Sequence, residues 1–214
     1  MVLQRLQAYA NFIKLEHTIF SLPLIYAGAL LGGKDRFTLK LGLLILLAAV
    51  GARVAAMGLN RIIDREIDRR NPRTKIRELA RGAMSVQEAW IVVAVSIVLY
   101  LVSAAAIAPM CLWLSPIPLV LFVGYPYLKR FTSLCHLGLG LAWSMAPLGG
   151  WLATAAGSAA AVVPSEVEGL LHLFGTSGIA WLWFVSLVWV AGFDVIYATM
   201  DEAFDREFGL FSLP

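Results

Sequence analysis

Repeated apolar runs, each close to the length that crosses a lipid bilayer, constrain the fold of this sequence most strongly. A membrane helix needs about 20 mostly apolar residues, and 60% of this chain is hydrophobic, with a mean hydropathy of +0.78. Backbone polar groups in lipid must be paired internally, and the runs lack the alternation of a barrel. The sequence therefore predicts an all-α fold, a polytopic transmembrane helical bundle of about six spans. The runs lie at about 16–33, 39–62, 86–108, 110–128, 134–156 and 179–200.

Basic residues are concentrated between the second and third runs. Eight Lys and Arg residues fall within 61–81, whereas 157–178, predicted to be a loop, has none. Basic loops stay on the cytoplasmic side, so six spans place 61–81, 128–133 and 201–214 inside and 157–178 outside. We expect an integral protein of a bacterial-type inner membrane. The net charge of +3 and its confinement to a few segments argue against a nucleic-acid partner.

A row of oxygen-bearing side chains ends the second run. Asn60, Asp64 and Asp68 stand four residues apart in the stretch N-R-I-I-D-R-E-I-D. In a helix this spacing puts all three on one face, rising about 12 Å over two turns. Amide and carboxylate oxygens suit a hard cation such as Mg²⁺. Taken alone, however, such a row could also simply mark the membrane interface.

A second acidic row begins near the end of the sixth run and continues beyond it, at Asp194, Asp201 and Asp205, with spacings of seven and four. The predicted topology brings both rows and Lys129 to the same membrane face. One or two Mg²⁺ ions would relieve the repulsion between the rows and accept phosphate oxygens as further ligands. The nearby Lys and Arg residues suit the same anion. This combination indicates a diphosphate at the membrane surface, with its lipid tail in an apolar cavity below.

At these residues the chain resembles the UbiA family of intramembrane prenyltransferases. The similarity extends over essentially the whole chain and is specific in combination. The opening segment 14–23, K-L-E-H-T-I-F-S-L-P, resembles the 4-hydroxybenzoate polyprenyltransferase branch in particular. The motifs that carry the resemblance are 60–68 continuing into N-P-R-T at 71–74 and Arg77, then Y-P-Y-L-K-R at 125–130, and D-V-I-Y-A-T-M-D at 194–201 with Asp205.

The resemblance implies Mg²⁺-dependent transfer of a polyprenyl group from polyprenyl diphosphate to an aromatic acid, most simply 4-hydroxybenzoate in ubiquinone biosynthesis. Asp194 would support the metal or position a substrate. Arg53, two turns before Asn60, is a candidate for the acceptor carboxylate, although a structural or snorkelling role is the alternative. The remaining implied roles are metal and diphosphate binding by Asn60, Asp64, Asp68, Asp201 and Asp205, and diphosphate binding by Arg73, Arg77, Tyr125 and Lys129.

The resemblance also sets an expectation for the domain. Residues 1–214 would form a single membrane-embedded prenyltransferase domain, with 61–81 and 201–214 as candidate lids over the site. Family members typically have nine transmembrane helices, and this sequence ends where a seventh would begin. We therefore expect a chain that is incomplete at its C-terminus, and poor metal binding or lost activity could follow.

Several alternatives remain open at this level. A naphthoate- or futalosine-type acceptor in menaquinone biosynthesis, or more distantly a glycerol-phosphate-type acceptor, would use the same diphosphate motifs. A divalent-cation transporter could use the acidic rows, but its carboxylates would be expected near the bilayer midplane. A CDP-alcohol phosphotransferase would need the signature D-G-x-x-A-R, which is absent from the sequence.

Overall fold

The computed structural model describes residues 2–156 and 164–214, and the regular structure of those residues is helical throughout. A single 3₁₀ turn, Lys34–Arg36, separates the second and third α-helices. The α-helices are α1 Val2–Ile13, α2 Leu15–Gly33, α3 Leu39–Ile63, α4 Arg65–Arg70, α5 Val86–Ile107, α6 Pro109–Leu114, α7 Pro116–Leu128, α8 Cys135–Ala155, α9 Pro164–Thr176, α10 Ile179–Ala198 and α11 Glu202–Phe208.

Helices lie at all six predicted spans, which confirms the all-α prediction. Four stretches within the described residues are long and apolar enough to cross a membrane: α3, α5, the pair α6–α7, and α10. The other two predicted positions hold α2 and α8, which are 19 and 21 residues long. Each of these two helices has a proline inside it, which membrane helices tolerate.

The fourth span is interrupted between α6 and α7. Pro116 has no N–H to donate to the carbonyl four residues before it, which is that of Leu112. The Ser115 hydroxyl donates to this carbonyl at 2.6 Å, and so does the Ser115 backbone N–H at 3.2 Å. Ser115 therefore satisfies the carbonyl that Pro116 cannot reach with a hydrogen bond.

The prediction that 157–178 is a loop is wrong for Pro164–Thr176, which forms α9. Proline is favoured at the first position of a helix. Val167, Leu170, Leu171 and Phe174 then follow the i, i+3, i+4, i+7 repeat of an amphipathic helix. A lack of Lys and Arg is typical of an outer loop but does not exclude such a helix. Residues 157–163 lie outside the described residues.

Close backbone contacts hold the bundle together. Helix α3 packs along α5, and α8 lies between α2 and α10. A Cβ on Gly28 would collide with the carbonyl of Pro147, and one on Gly51 would lie 2.7 Å from the carbonyl of Ser96. Small residues therefore allow these helices to approach closely, as in other membrane bundles.

The short helix α1 precedes the first span, and it covers the segment that follows the first acidic row. Phe12 is fully buried against Leu79, Met84 and Ala89. Arg61 lies over the Phe12 ring, 5.3 Å from its centroid. The basic segment is therefore packed against the bundle.

Candidate active site

The first acidic row keeps its four-residue repeat although the helix is interrupted within it. Helix α3 ends at Ile63 and α4 begins at Arg65. The backbone N–H of Asp64 still donates to the Asn60 carbonyl at 2.9 Å, and that of Asp68 donates to the Asp64 carbonyl at 2.8 Å. The Asn60 amide also donates to the Asp64 carboxylate at 3.2 Å. The three side chains therefore form a continuous row at the end of the span.

Basic side chains surround this buried row. Asp64 is 3% exposed and contacts Lys129 Nζ at 2.7 Å and Arg130 Nη2 at 3.4 Å. Asp68 accepts from Arg77 Nη1 at 3.0 and 2.9 Å. Burial raises the pKa of Asp64 above its ordinary value, although the neighbouring Lys129 acts in the opposite direction. The carboxylates are therefore compensated by cations but poorly hydrated.

The second acidic row is closer to solvent, just before and within α11. Asp201 accepts from Arg73 Nε at 2.9 Å, from Arg73 Nη2, and from Asn71 Nδ2 at 2.8 Å. Burial alone would raise the pKa of Asp201, but the hydrogen bonds from Arg73 and Asn71 lower it below its ordinary value. For Asp205, burial and the adjacent Asp201 charge raise the pKa.

The segment that follows the first row joins it to the second. Asn71 and Arg73 come directly after α4, yet both bind Asp201, about 130 residues later in the chain. The charges of Asp68 and Asp205 also act on Arg73, so its guanidinium lies between the rows. Both rows therefore lie at one end of the bundle, in agreement with the predicted topology.

Asp194 is separated from the other carboxylates. Its Oδ2 lies 2.7 Å from Nδ1 of His136, near the start of α8. Among the contacts described for this chain, Asp194 has no ion pair with an Arg or Lys. Asp194 therefore has a different partner from Asp201, and its predicted role in metal support or substrate positioning stays a prediction.

Sequence reasoning had assigned no site role to His136, Arg130 or Asn71. The available signal for His136 was an ionisable residue within the predicted span 134–156. Arg130 follows the predicted ligand Lys129 directly, and its Nη1 is buried without a hydrogen-bond partner. Asn71 belongs to the quoted motif, but its contact with Asp201 could not be read from local spacing.

An apolar cavity of about 380 Å³ extends between the helices. Arg53 and Tyr125 contribute polar groups to its lining, together with Trp143. The Arg53 guanidinium lies 5.3 Å from the centroid of the Trp143 ring, and its buried Nε has no hydrogen-bond partner. A buried donor without an acceptor is costly, so this end of the cavity suits an anionic or carbonyl group beside an aromatic ring.

The acidic rows offer oxygen donors, and this chemistry fits Mg²⁺. The candidates are Asn60, Asp64, Asp68, Asp201 and Asp205. Within 2–156 and 164–214, no three His, Cys, Asp or Glu side chains converge closely enough to form a metal-binding group. All five instead take part in hydrogen bonds within the protein, and three of them, Asp64, Asp68 and Asp201, bind Lys or Arg. The donor set fits the ion, while its current partners are basic side chains.

Comparison with known sequences matches residues 21–214 to the UbiA prenyltransferase family. A 4-hydroxybenzoate octaprenyltransferase of Legionella pneumophila (strain Paris) is 30% identical over 206 residues, covering 95% of this chain and 67% of that protein. The enzyme of the same name from Shewanella denitrificans is 27% identical and is covered to 67%. The chain thus spans about two thirds of these relatives.

Solved structures have the same arrangement of helices. The apo structure of a UbiA homolog from Aeropyrum pernix K1 is 42% identical, with a TM-score of 0.81, covering 93% of this chain and 69% of that one. A UbiA homolog from Archaeoglobus fulgidus bound to GPP and Mg²⁺ is 21% identical, with a TM-score of 0.66, covering 97% of this chain and 68% of that one. The second similarity supports the fold alone.

Proposed function

The chain belongs to the UbiA prenyltransferase family and is thus an integral membrane prenyltransferase; we propose that it transfers a polyprenyl group from polyprenyl diphosphate to 4-hydroxybenzoate, in ubiquinone biosynthesis. Relatives named 4-hydroxybenzoate octaprenyltransferase support this acceptor. The observation that carries the proposal is that Tyr125, which lines the apolar cavity together with Arg53, lies close enough to Asp64 and Arg77 for their charges to act on its phenol. Family membership removes the cation-transporter alternative.

The diphosphate binds at the charged rim, by which we mean the two acidic rows and the Lys and Arg side chains that pair with them. Its cations there would be Arg73, Arg77 and Lys129, which now pair with Asp201, Asp68 and Asp64 respectively. Two phosphate groups offer these side chains strong acceptors, so substrate binding exchanges one set of ion pairs for another. Tyr125, which lines the cavity and on which the charge of Asp64 acts, adds a phenol donor.

Magnesium completes this end of the site. The ligands would come from Asn60, Asp64, Asp68, Asp201 and Asp205. Bound Mg²⁺ supplies Lewis-acid stabilisation of the negative charge that develops on the departing diphosphate. These side chains would be available to hold the ion once their basic partners bind the phosphate groups.

The prenyl chain and the acceptor share the apolar cavity. Its lining is almost entirely hydrocarbon and aromatic, apart from groups such as Arg53 and Tyr125. The unpaired Nε of Arg53 suits the carboxylate of 4-hydroxybenzoate, and the Trp143 ring beside it suits the aromatic ring. Exclusion of water by these walls protects an allylic cation from hydrolysis.

The reaction follows from this placement. The C–O bond of the prenyl diphosphate breaks and its electron pair leaves with the diphosphate, which gives an allylic cation. The ring carbon ortho to the phenol donates an electron pair to form the C–C bond. The ring then loses the proton from that carbon, and Asp194, a carboxylate without an Arg or Lys partner in the described structure, is our candidate acceptor for it.

The location of the reaction is also part of the proposal. The rim lies at the end of the bundle that carries the basic segment 61–81, which the positive-inside rule assigns to the cytoplasm. We place the protein in a bacterial-type inner membrane with its active site facing inward. Accessibility labelling of Lys75, exposed in that segment, in sealed inside-out and right-side-out vesicles would test this orientation.

The test of function is product formation in lipid nanodiscs from a polyprenyl diphosphate, 4-hydroxybenzoate and Mg²⁺, followed by mass spectrometry. We expect a metal-dependent prenylated acid that Asp64→Ala and Asp201→Ala both abolish. Asp35→Ala is the matched control, because Asp35 is an exposed acidic residue in the Lys34–Arg36 turn.

Assays with other acceptors test the choice of acceptor separately from prenyl transfer itself. Product from a naphthoate- or futalosine-type acceptor, with none from 4-hydroxybenzoate, would overturn the acceptor assignment and keep the prenyl transfer. Unchanged turnover in Asp64→Ala and Asp201→Ala would overturn the assignment of the acidic rows.

A further inference from the structure

His136 is buried where no site role was expected. It is 3% exposed and lies in the first turn of α8, beside the cavity-lining part of that helix. Its Nδ1 lies 2.7 Å from Asp194 Oδ2. A buried polar group needs a partner, and this short contact joins α8 to α10 at the level of the acidic rows.

The second ring nitrogen identifies which tautomer is present. The backbone N–H of Leu213 donates to Nε2 of His136 at 3.3 Å. A nitrogen that accepts a hydrogen bond cannot carry the proton in the same contact. The proton of the neutral ring is therefore on Nδ1, and His136 donates it to Asp194.

The segment that supplies this donor is itself attached to the site. The N–H of Leu210 donates to the Asp205 carbonyl at 2.9 Å, and that of Phe211 donates to the Lys129 carbonyl at 2.8 Å. Residues 210–213 thus contact the second acidic row, the end of α7 and His136 in succession. These contacts fix the ring that faces Asp194.

Asp194 differs in its partner from the carboxylates of the metal-binding rows. Asp64, Asp68 and Asp201 each pair with Arg or Lys, whereas Asp194 receives one N–H from an imidazole. Asp194 is also 35% exposed in its side chain. The charges of Asp64 and Asp194 both act on Tyr125, so Asp194 lies near the same end of the cavity.

We propose that His136 is a positioning residue that orients the Asp194 carboxylate toward the reacting ring through its Nδ1–H. A neutral donor fixes one carboxylate oxygen and leaves the other free, without neutralising the charge as an arginine would. This inference rests on the proposed prenyl transfer, in which Asp194 accepts the ring proton. His136 acts through Asp194 and need not contact substrate.

Kinetics of the full chain test this role. We expect His136→Leu to lower kcat about tenfold, the scale of one hydrogen bond to a charged group, with the KM for the prenyl diphosphate changed less than about twofold. His136→Asn keeps an N–H near the position of Nδ1 and is expected to restore most of the activity. In an Asp194→Asn background, His136→Leu should add no further loss. His172→Asn, at an exposed histidine, is the matched control.

Three kinetic results would overturn the proposal. They are full activity in His136→Leu, equal impairment in His136→Asn and His136→Leu, and additive losses in the double variant. Each would show that donation from Nδ1 to Asp194 does not serve turnover.

A spectroscopic measurement separates this inference from the proposed function. In ¹⁵N-histidine-labelled protein, the resonances absent from His136→Asn identify His136 among the three histidines of the chain. We expect a protonated Nδ1 and an unprotonated Nε2, with a changed Nδ1 shift in Asp194→Asn. The opposite tautomer, or a spectrum indifferent to Asp194→Asn, would refute the contact. If none of the acceptors gives a prenylated product, the proposed function is refuted. The histidine spectrum then decides by itself whether His136 donates to Asp194.

Discussion

The two acidic rows carry similar residues in different surroundings. The first is set into the end of a long helix, where the Asp64 side chain is 4% exposed and contacts both Lys129 and Arg130. The second lies just before and within α11, where the Asp201 side chain is 14% exposed and its cation, Arg73, is 40% exposed. The buried carboxylates of the first row therefore need nearby cations to compensate their charge. The second row is instead held by Asn71 and Arg73, from the segment after α4.

This difference teaches which contacts stabilise the protein and which arrange the site. A buried carboxylate that loses its cation is left with an uncompensated charge, which is strongly destabilising. A carboxylate near the surface can be rehydrated, so its ion pair contributes little. Equivalent substitutions in the two rows should consequently have unequal effects on stability, even where both stop turnover.

The largest effect on stability is expected for Lys129→Met, which leaves Asp64 with Arg130 alone. We expect a loss of about 2–3 kcal/mol, below the usual cost of breaking a buried pair, because Arg130 remains. Thermal unfolding in detergent would measure it, with Lys40→Met at an exposed position of α3 as the control. Equal melting temperatures for the two variants would contradict a buried, compensated first row.

Replacing the buried, ionised Asp64 by a neutral residue should have the opposite effect on stability to Lys129→Met. Burial raises the pKa of Asp64, so the ionised carboxylate is less favourable in the folded protein than in water. We expect Asp64→Asn to unfold at the same or a higher temperature than the wild type at neutral pH, while turnover is lost. Asp201, with a lowered pKa, should instead lose stability on conversion to Asn. A lower melting temperature for Asp64→Asn than for Asp201→Asn would contradict the prediction that ionisation costs stability at Asp64 and adds stability at Asp201.

A smaller effect is expected for Arg73→Gln, which releases Asp201. We expect about 0.5 kcal/mol of lost stability, because the pair is partly exposed. The affinity for prenyl diphosphate with Mg²⁺, measured by calorimetry, should fall more clearly, since Arg73 lies between the rows. Arg36→Gln, at an exposed arginine outside the rim, controls for the loss of positive charge. A stability loss as large as that of Lys129→Met would show that the rows do not differ.

Much of the fold could be predicted because each span is encoded locally. The apolar runs and the four-residue spacing of Asn60, Asp64 and Asp68 place helices and rows without any knowledge of packing. The interruption at Ser115 also has a local cause in Pro116. Helix α9 could have been predicted from its repeat, since Val167, Leu170, Leu171 and Phe174 follow helical spacing.

The partners of the site residues could not be predicted in the same way. Arg73 and Asp201 are 128 residues apart, and His136 and Asp194 are 58 apart. No local spacing determines such pairs, because they arise only when α8 packs on α10 and the segment after α4 crosses to α11. The sequence reveals which residue types gather at the rim, and tertiary packing decides which carboxylate each cation contacts.

The smallest expected effect is the pH dependence of the stability that the Arg73–Asp201 ion pair contributes. The pKa of Asp201 is lowered from its ordinary 3.8 by Arg73 and Asn71, despite the effect of burial. The pair therefore contributes fully above pH 3.8 and loses its contribution as the pH falls through the lowered folded-state value. The stability difference between wild type and Arg73→Gln, about 0.5 kcal/mol near neutral pH, should shrink toward zero below that value. Urea unfolding of both proteins in the same micelles at several pH values would measure it, and a difference that grows in acid would show that Arg73 does not stabilise ionised Asp201.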